Sequence, residues 1–139
     1  MPAGPVSAGH LVLGRDGEEA AARLLGKLGL RVIERNYSCR QGEVDLICRQ
    51  GDTLVFVEVK TRAEGSLASG TDAVDRRKRS RIVKAASQYL SDKGKWDAPC
   101  RFDVVSVVRR GNELHAEHLP DAFQAEFDAG RGGKGWQPW

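Results

Sequence analysis

The stretch Gly42-Glu43-Val44-Asp45-Leu46-Ile47-Cys48-Arg49-Gln50-Gly51-Asp52-Thr53-Leu54-Val55-Phe56-Val57-Glu58-Val59-Lys60 decides how this chain folds. Two apolar runs, Val44 to Arg49 and Leu54 to Lys60, flank the turn signal Gln50-Gly51-Asp52-Thr53, so the segment reads as a β-hairpin. Side chains alternate faces along a strand. Val55, Val57 and Val59 therefore share one face, and Leu54, Phe56, Glu58 and Lys60 share the other. Both rows begin apolar, which places the second strand inside a sheet. A carboxylate and an ammonium in the row of Phe56 then need a reason.

The turn sets the register. With Gln50 opposite Thr53, Ile47 faces Phe56, Asp45 faces Glu58 and Glu43 faces Lys60. Two carboxylates about 5 Å apart repel each other. A divalent cation between Asp45 and Glu58 removes that repulsion. Mg²⁺ or Mn²⁺ suits the place, because Mg²⁺ takes oxygen ligands and often uses only one or two carboxylates plus a substrate phosphate. Lys60, one side-chain step beyond, is placed to hold or deprotonate an attacking water, or to neutralise charge building on phosphorus. The plainer origin of Glu-x-Lys in a strand is a surface salt bridge. A one-residue change in the loop would send Asp45 to the other face.

Working outward, the spacing of Ala21, Leu24, Leu25 and Leu28 predicts a helix from about Asp16 to Lys27, stopped at Gly29. Glu18 borders its apolar stripe, either as a first-turn acid favoured by the helix dipole or as a third carboxylate aimed at the same site. Arg31 to Asn36 reads as a short strand. Beyond the hairpin, a second helix is expected from about Ala73 to Leu90 with Thr71 or Asp72 as N-cap. Ile82, Ala85, Ala86 and Tyr89 form its apolar face, and Lys78 lies one turn back on that face. Lys78 reaches the site or a phosphate, or lays its stem over the core with its ammonium in water. Arg76, Arg77, Arg81 and Lys84 point elsewhere, as a phosphate-facing patch or a solvated face.

Phe102 to Val108 is apolar on both faces and central. Arg110-Gly111-Asn112 turns into a polar strand, Leu114 to Leu119, and Pro120-Asp121 is expected to open a final helical turn at Phe123. Gly42 is read as serving a backbone bend into its strand. Thr61-Arg62 either binds phosphate or ends the strand. Asp103 is expected to pair with Arg101. No histidine has a partner at metal-ligand spacing. This order implies an α/β or α+β sandwich around one mixed sheet.

The whole chain has 139 residues, 40% hydrophobic and 29% charged, with a net charge of +3. That is one domain's length, read as residues 14–128 between flexible tails at 1–13 and 129–139. No apolar run approaches the roughly 20 residues that span a bilayer, so no membrane partner is expected. The N-terminus lacks the basic and apolar regions of a secretory signal. Cys39, Cys48 and Cys100 form no C-x-x-C pair, which argues against a disulfide framework or zinc knuckle. A reducing, cytoplasmic location follows as an expectation.

Gly14-x-x-Gly17-Glu18-x-x-Ala21, Arg35-Asn36, Gly42-Glu43-Val44-Asp45-Leu46-Ile47 and Val55-Phe56-Val57-Glu58-Val59-Lys60-Thr61-Arg62 together resemble the YraN-type family of small bacterial proteins. Lys78, Ala85-Ala86, Tyr89-Leu90, Arg101-Phe102-Asp103-Val104 and Ala122-Phe123 continue the match, from about residue 14 to 124. The resemblance implies a restriction-endonuclease-like α/β fold, a mixed central β-sheet flanked by α-helices, with a D…(D/E)-x-K nuclease motif. It implies Asp45 and Glu58 as metal ligands, Lys60 as the catalytic lysine and Glu18 as a helix glutamate. The pattern is also similar to archaeal Holliday-junction resolvases, which act as dimers, so a homodimer is one expectation.

Three functions are carried forward. The first is a Mg²⁺-dependent nuclease acting on DNA, with Arg62, Arg76, Arg77, Lys78, Arg81 and Lys84 contacting the nucleic acid. The second is a binding module that keeps the fold and the basic patch but cuts little or nothing. The third is a protein-interaction subunit whose basic helix meets an acidic partner.

Overall fold

The structure, a computed structural model, describes residues 13–64 and 75–125. Residues 1–12, the C-terminal tail and the Thr71 or Asp72 cap lie outside the described residues. The elements are α1 (Leu13–Lys27), β1 (Arg31–Cys39), β2 (Gly42–Gln50), β3 (Thr53–Ala63), α2 (Arg76–Lys93), β4 (Cys100–Arg110) and β5 (Glu113–Phe123). The five strands form one sheet in the order β1-β2-β3-β4-β5. β3 and β4 run parallel, joined through α2, and the other neighbours are antiparallel. This is a mixed α/β sheet with a helix on each face.

The two faces carry separate cores. Ala21, Ala22 and Leu25 of α1 pack with Leu46, Cys48, Val55, Val57, Val59, Val105 and Val107. Ile82, Ala85, Ala86, Tyr89 and Leu90 of α2 pack with Val44, Ile47, Leu54, Phe56, Phe102 and Val104. β3 is thus buried on both faces, as its two apolar rows require.

Helix α2 begins at Arg76; Ala73, the expected start, lies outside the described residues. Asp75 is extended at φ −76°, ψ 175°, and its carboxylate accepts a hydrogen bond from the Lys78 amide, which satisfies one of the free donors of the first turn. At the other end Gly94 adopts the left-handed conformation, and its N–H bonds back to Leu90 and Ser91.

The final helical turn expected at Pro120-Asp121 is instead a continuation of β5. Asp121 takes a left-handed φ of 51°, and its amide donates to Asp103 Oδ1 at 2.9 Å. That makes a bulge, after which Phe123 pairs with Phe102 and stacks on its ring at 5.1 Å. Pro120 is tolerated because β5 is an edge strand. Asp103 is fully buried and, as expected, binds Arg101, which grips both its oxygens. His118 completes its shell at 2.6 Å, so this cluster braces the β4–β5 bulge.

Gly42 serves a different purpose from the bend read in the sequence. It is buried, and a Cβ there would collide with the backbone carbonyl of Arg81 in α2. Gly17 does the same for α1, where a Cβ would strike the Thr61 hydroxyl of β3. Both helices therefore approach the sheet closely beside the same region.

Candidate functional site

Asp45 sits where the sheet divides. The β2–β3 ladder is regular from Gln50↔Thr53 to Leu46↔Val57, so the expected register holds and Asp45 and Glu58 come next. In place of a further ladder bond, Asp45 Oδ2 accepts the Val59 N–H at 2.8 Å. Val44 and Ile47, three residues apart, both pack against α2, so the pleat of β2 breaks between them. The neighbouring strand breaks too. Asn36, in register opposite Asp45 between the pairs Arg35↔Leu46 and Tyr37↔Val44, has a left-handed φ of 51°.

Glu58 lies on the α2 side of β3 and is 2% exposed. Burial, the charge of Asp45 and a side-chain hydrogen bond with Asp45 push its carboxyl up to about 8, against the opposing pull of Lys78. Lys78 reaches in from α2, and its Nζ lies 2.6 Å from Glu58 Oε2. Burial works to lower the Lys78 value, but the hydrogen bond and charge of Glu58, with Asp45 and Glu43 beyond, raise it.

Glu18 approaches from α1. Burial and the charges of Asp45 and Glu43 raise its carboxyl, while a hydrogen bond from Asn36 and the charge of Arg35 lower it. Arg35 pairs with Glu19 at 3.0 Å. The Arg35-Asn36 dipeptide thus addresses both helix glutamates. Sequence reading gave Asn36 no role. Its signal was its type, since asparagine is among the few residues that adopt left-handed backbone readily.

The structure therefore gathers Glu18, Asp45, Glu58 and Lys78. Strand alternation puts Lys60 and then Arg62 in the row of Glu58. Lys60 is half-buried and has no ion pair or hydrogen bond among the described residues. Arg62 Nη1 is buried without a hydrogen-bond partner. Arg76, Arg77, Arg81 and Lys84 are exposed and stand apart from this cluster, while the Arg79 guanidinium covers the Phe123 ring.

Does this donor set suit a divalent ion? Among the described residues no group of three or more His, Cys, Asp or Glu side chains is arranged to hold a metal. Asp45 and Glu58 supply two hard oxygen donors, and the charge of Asp45 adds to burial in raising Glu58. That fits Mg²⁺, which keeps several waters and accepts one or two carboxylates, better than a site built wholly from protein ligands.

The mixed sheet with a helix on each face is the α/β arrangement that the restriction-endonuclease-like motifs imply. The chain belongs to the Uncharacterised protein family UPF0102, whose profile matches residues 17–107; this is the YraN-type family whose motifs it carries. It is 48% identical over 126 residues to a UPF0102 protein of Nitratidesulfovibrio vulgaris, covering 91% of this chain and 94% of that one. It is 47% identical over 114 residues to one from Pelotomaculum thermopropionicum, covering 81% and 95%. Among solved structures it is similar to Pyrococcus furiosus SfsA in complex with Ca²⁺, at a TM-score of 0.45 and 14% identity, over 76% of this chain and 64% of that one. No helix among the described residues is long and apolar enough to cross a membrane.

Proposed function

We propose that this protein is a metal-dependent nuclease hydrolysing phosphodiester bonds in DNA, with branched or damaged duplexes as the substrate class. The observation that carries this reading is the Asp45–Glu58 contact. A fold gains nothing by setting a half-buried carboxylate, Asp45, against a buried one, Glu58, and such costs are found where function requires them. A Mg²⁺ or Mn²⁺ ion held there would supply Lewis-acid neutralisation of a phosphate oxygen and lower the pKa of water. The chain's own residues do the rest. Glu18 and Asp45 offer acceptors that orient an attacking water, Lys60 stands in the same row to hold or move its proton, and the unpaired Arg62 Nη1 is a ready donor to a phosphate oxygen. The free thiols of Cys39, Cys48 and Cys100 support a reducing, cytoplasmic setting.

A second reading, a binding module that does not cut, draws support from Lys78, whose ammonium already occupies Glu58 Oε2 at 2.6 Å without any metal. The deciding experiment is a cleavage assay with Mg²⁺ and Mn²⁺ over single-stranded, duplex, flap and four-way DNA. The nuclease reading expects metal-dependent products that disappear in Glu58→Ala. Binding without products under every condition establishes the second reading.

A further inference from the structure

Lys78 stands where a second cation would be needed. It is the ammonium on Glu58, at 2.6 Å, while its own side chain remains 42% exposed. It also feels Asp45 and Glu43, so it sits in the combined field of the acidic cluster. A lysine stem has four rotatable bonds and a strongly hydrated head, so this contact can be broken outward without disturbing α2. The helix itself is held in place by the Gly42–Arg81 backbone contact.

We infer that Lys78 is an internal counter-ion that competes with the divalent cation for Glu58 and, once displaced, is handed over to a substrate phosphate. The inference rests on the metal-site reading above and adds an order of events to it. Without metal, Lys78 offsets the burial of Glu58 and keeps the acidic pair from forcing the strands apart. A divalent ion between Asp45 and Glu58 brings more positive charge to the same oxygens and repels the ammonium. Of α2's exposed cations, Arg81 lies one turn on from Lys78 on the same helix, so the freed ammonium and the Arg81 guanidinium together form a place where an anionic backbone is favoured. Occupation of Glu58 and engagement of phosphate by Lys78 are thereby coupled, and linkage makes such a coupling reciprocal.

The test is calorimetric titration of Mg²⁺ into the full chain, at one fixed pH, for wild type, Lys78→Gln and Lys78→Arg. Removing the competitor should tighten Mg²⁺ binding roughly 5- to 150-fold, the usual range of coupling between linked sites. Arginine, which grips a carboxylate with two donors, should weaken it, and this variant decides the matter if Lys78→Gln does not fold. DNA binding followed against salt with Ca²⁺ present should neutralise about one phosphate fewer in Lys78→Gln, a slope shallower by roughly 0.9, with no change in EDTA. If wild type binds Mg²⁺ and Lys78→Gln binds it no more tightly, Lys78 is no competitor and the metal site stands without it. If neither protein binds Mg²⁺, the metal-site reading falls and this inference falls with it. A slope equally shallower in EDTA overturns the handover.

Discussion

Asp45 Oδ2 accepts the Val59 amide at 2.8 Å, immediately beyond the last paired residues of β2 and β3. One carboxylate therefore does two things: it closes the open end of a ladder and presses its charge on Glu58. The two can be separated. Asp45→Asn keeps an acceptor for Val59 and removes the charge, so the metal-free protein should be as stable as wild type or more so. Asp45→Ala leaves the amide unsatisfied and should cost about 1–3 kcal/mol. Both should abolish any Mg²⁺-dependent rise in melting temperature. Thermal unfolding with and without Mg²⁺ checks all three statements.

Metal-free stability should fall as pH rises across the window set by Glu58. Its carboxyl is held at about 8 in the fold against an ordinary value of 4.5. Between those values the folded protein binds a proton that the unfolded chain has released, so stability declines with pH there and levels off above about 8. Lys78 is raised above its ordinary 10.5, so its contribution is intact throughout this window and is lost only at higher pH. Glu58→Gln should remove the decline. Denaturant unfolding in EDTA over a pH series measures the difference between the two proteins. Stabilisation by Mg²⁺ should grow over the same window, because the ion competes with that proton.

The exposed cations of α2 should bind through phosphates alone. Replacing two of Arg76, Arg77, Arg81 and Lys84 with alanine should weaken DNA binding for every sequence and flatten the salt dependence by about 0.9 for each phosphate no longer neutralised. Filter binding or anisotropy over a salt series reads the slope. An unchanged slope makes them a solvated helix face.

Gly42 and Gly17 should respond differently to the same methyl group. At Gly42 the obstacle is the Arg81 backbone, which cannot step aside, so Gly42→Ala should cost about 1–3 kcal/mol. At Gly17 the obstacle is the Thr61 side chain, its hydroxyl nearest and its methyl and Cβ close behind, so Thr61 must shift as well as turn, but alanine favours a helix interior by about 0.5–1 kcal/mol over glycine and offsets part of that cost. Gly17→Ala should therefore come out within about 1 kcal/mol of neutral. Chemical denaturation of the two variants ranks them.

Asn36 should matter through its side chain as well as its backbone. Asn36→Gly relieves the left-handed conformation and removes the donor to Glu18; Asn36→Ala removes the donor and adds strain of about 1 kcal/mol. Stability should fall in Asn36→Ala more than in Asn36→Gly, whereas both should weaken Mg²⁺-dependent cleavage. Full cleavage by Asn36→Gly would reduce Asn36 to a turn residue.

The hairpin register was readable because the Gly51 turn and the two apolar rows agree, and both lead to Asp45 beside Glu58. Lys78 was visible as a cation one turn back on the apolar face of α2, but its partner was not, since the sequence holds no sign of which strand residue lies beneath it. Asp75 was missed as the N-cap because Thr71 and Asp72 offer the same chemistry three or four residues earlier. The extension of β5 was missed because Pro120-Asp121 is a strong local turn signal, and what overrides it is non-local: the Asp103 carboxylate and the Phe102 ring. The break in β2 is equally hidden, because nothing in an alternating strand sequence marks a bulge at Asp45.

The meeting of Gly42 with the Arg81 carbonyl joins main chain to main chain, leaving no side chain between them that can change rotamer. The Lys78 anchor and the acidic pair are consequently set at a spacing that thermal motion of side chains adjusts only at the lysine tip. An acidic cluster framed in this way does not mould itself to a ligand. On the nuclease reading proposed above, the substrate must therefore do the bending, which favours duplexes that bend or open at little cost, at junctions, nicks and lesions, over a stiff and perfect helix.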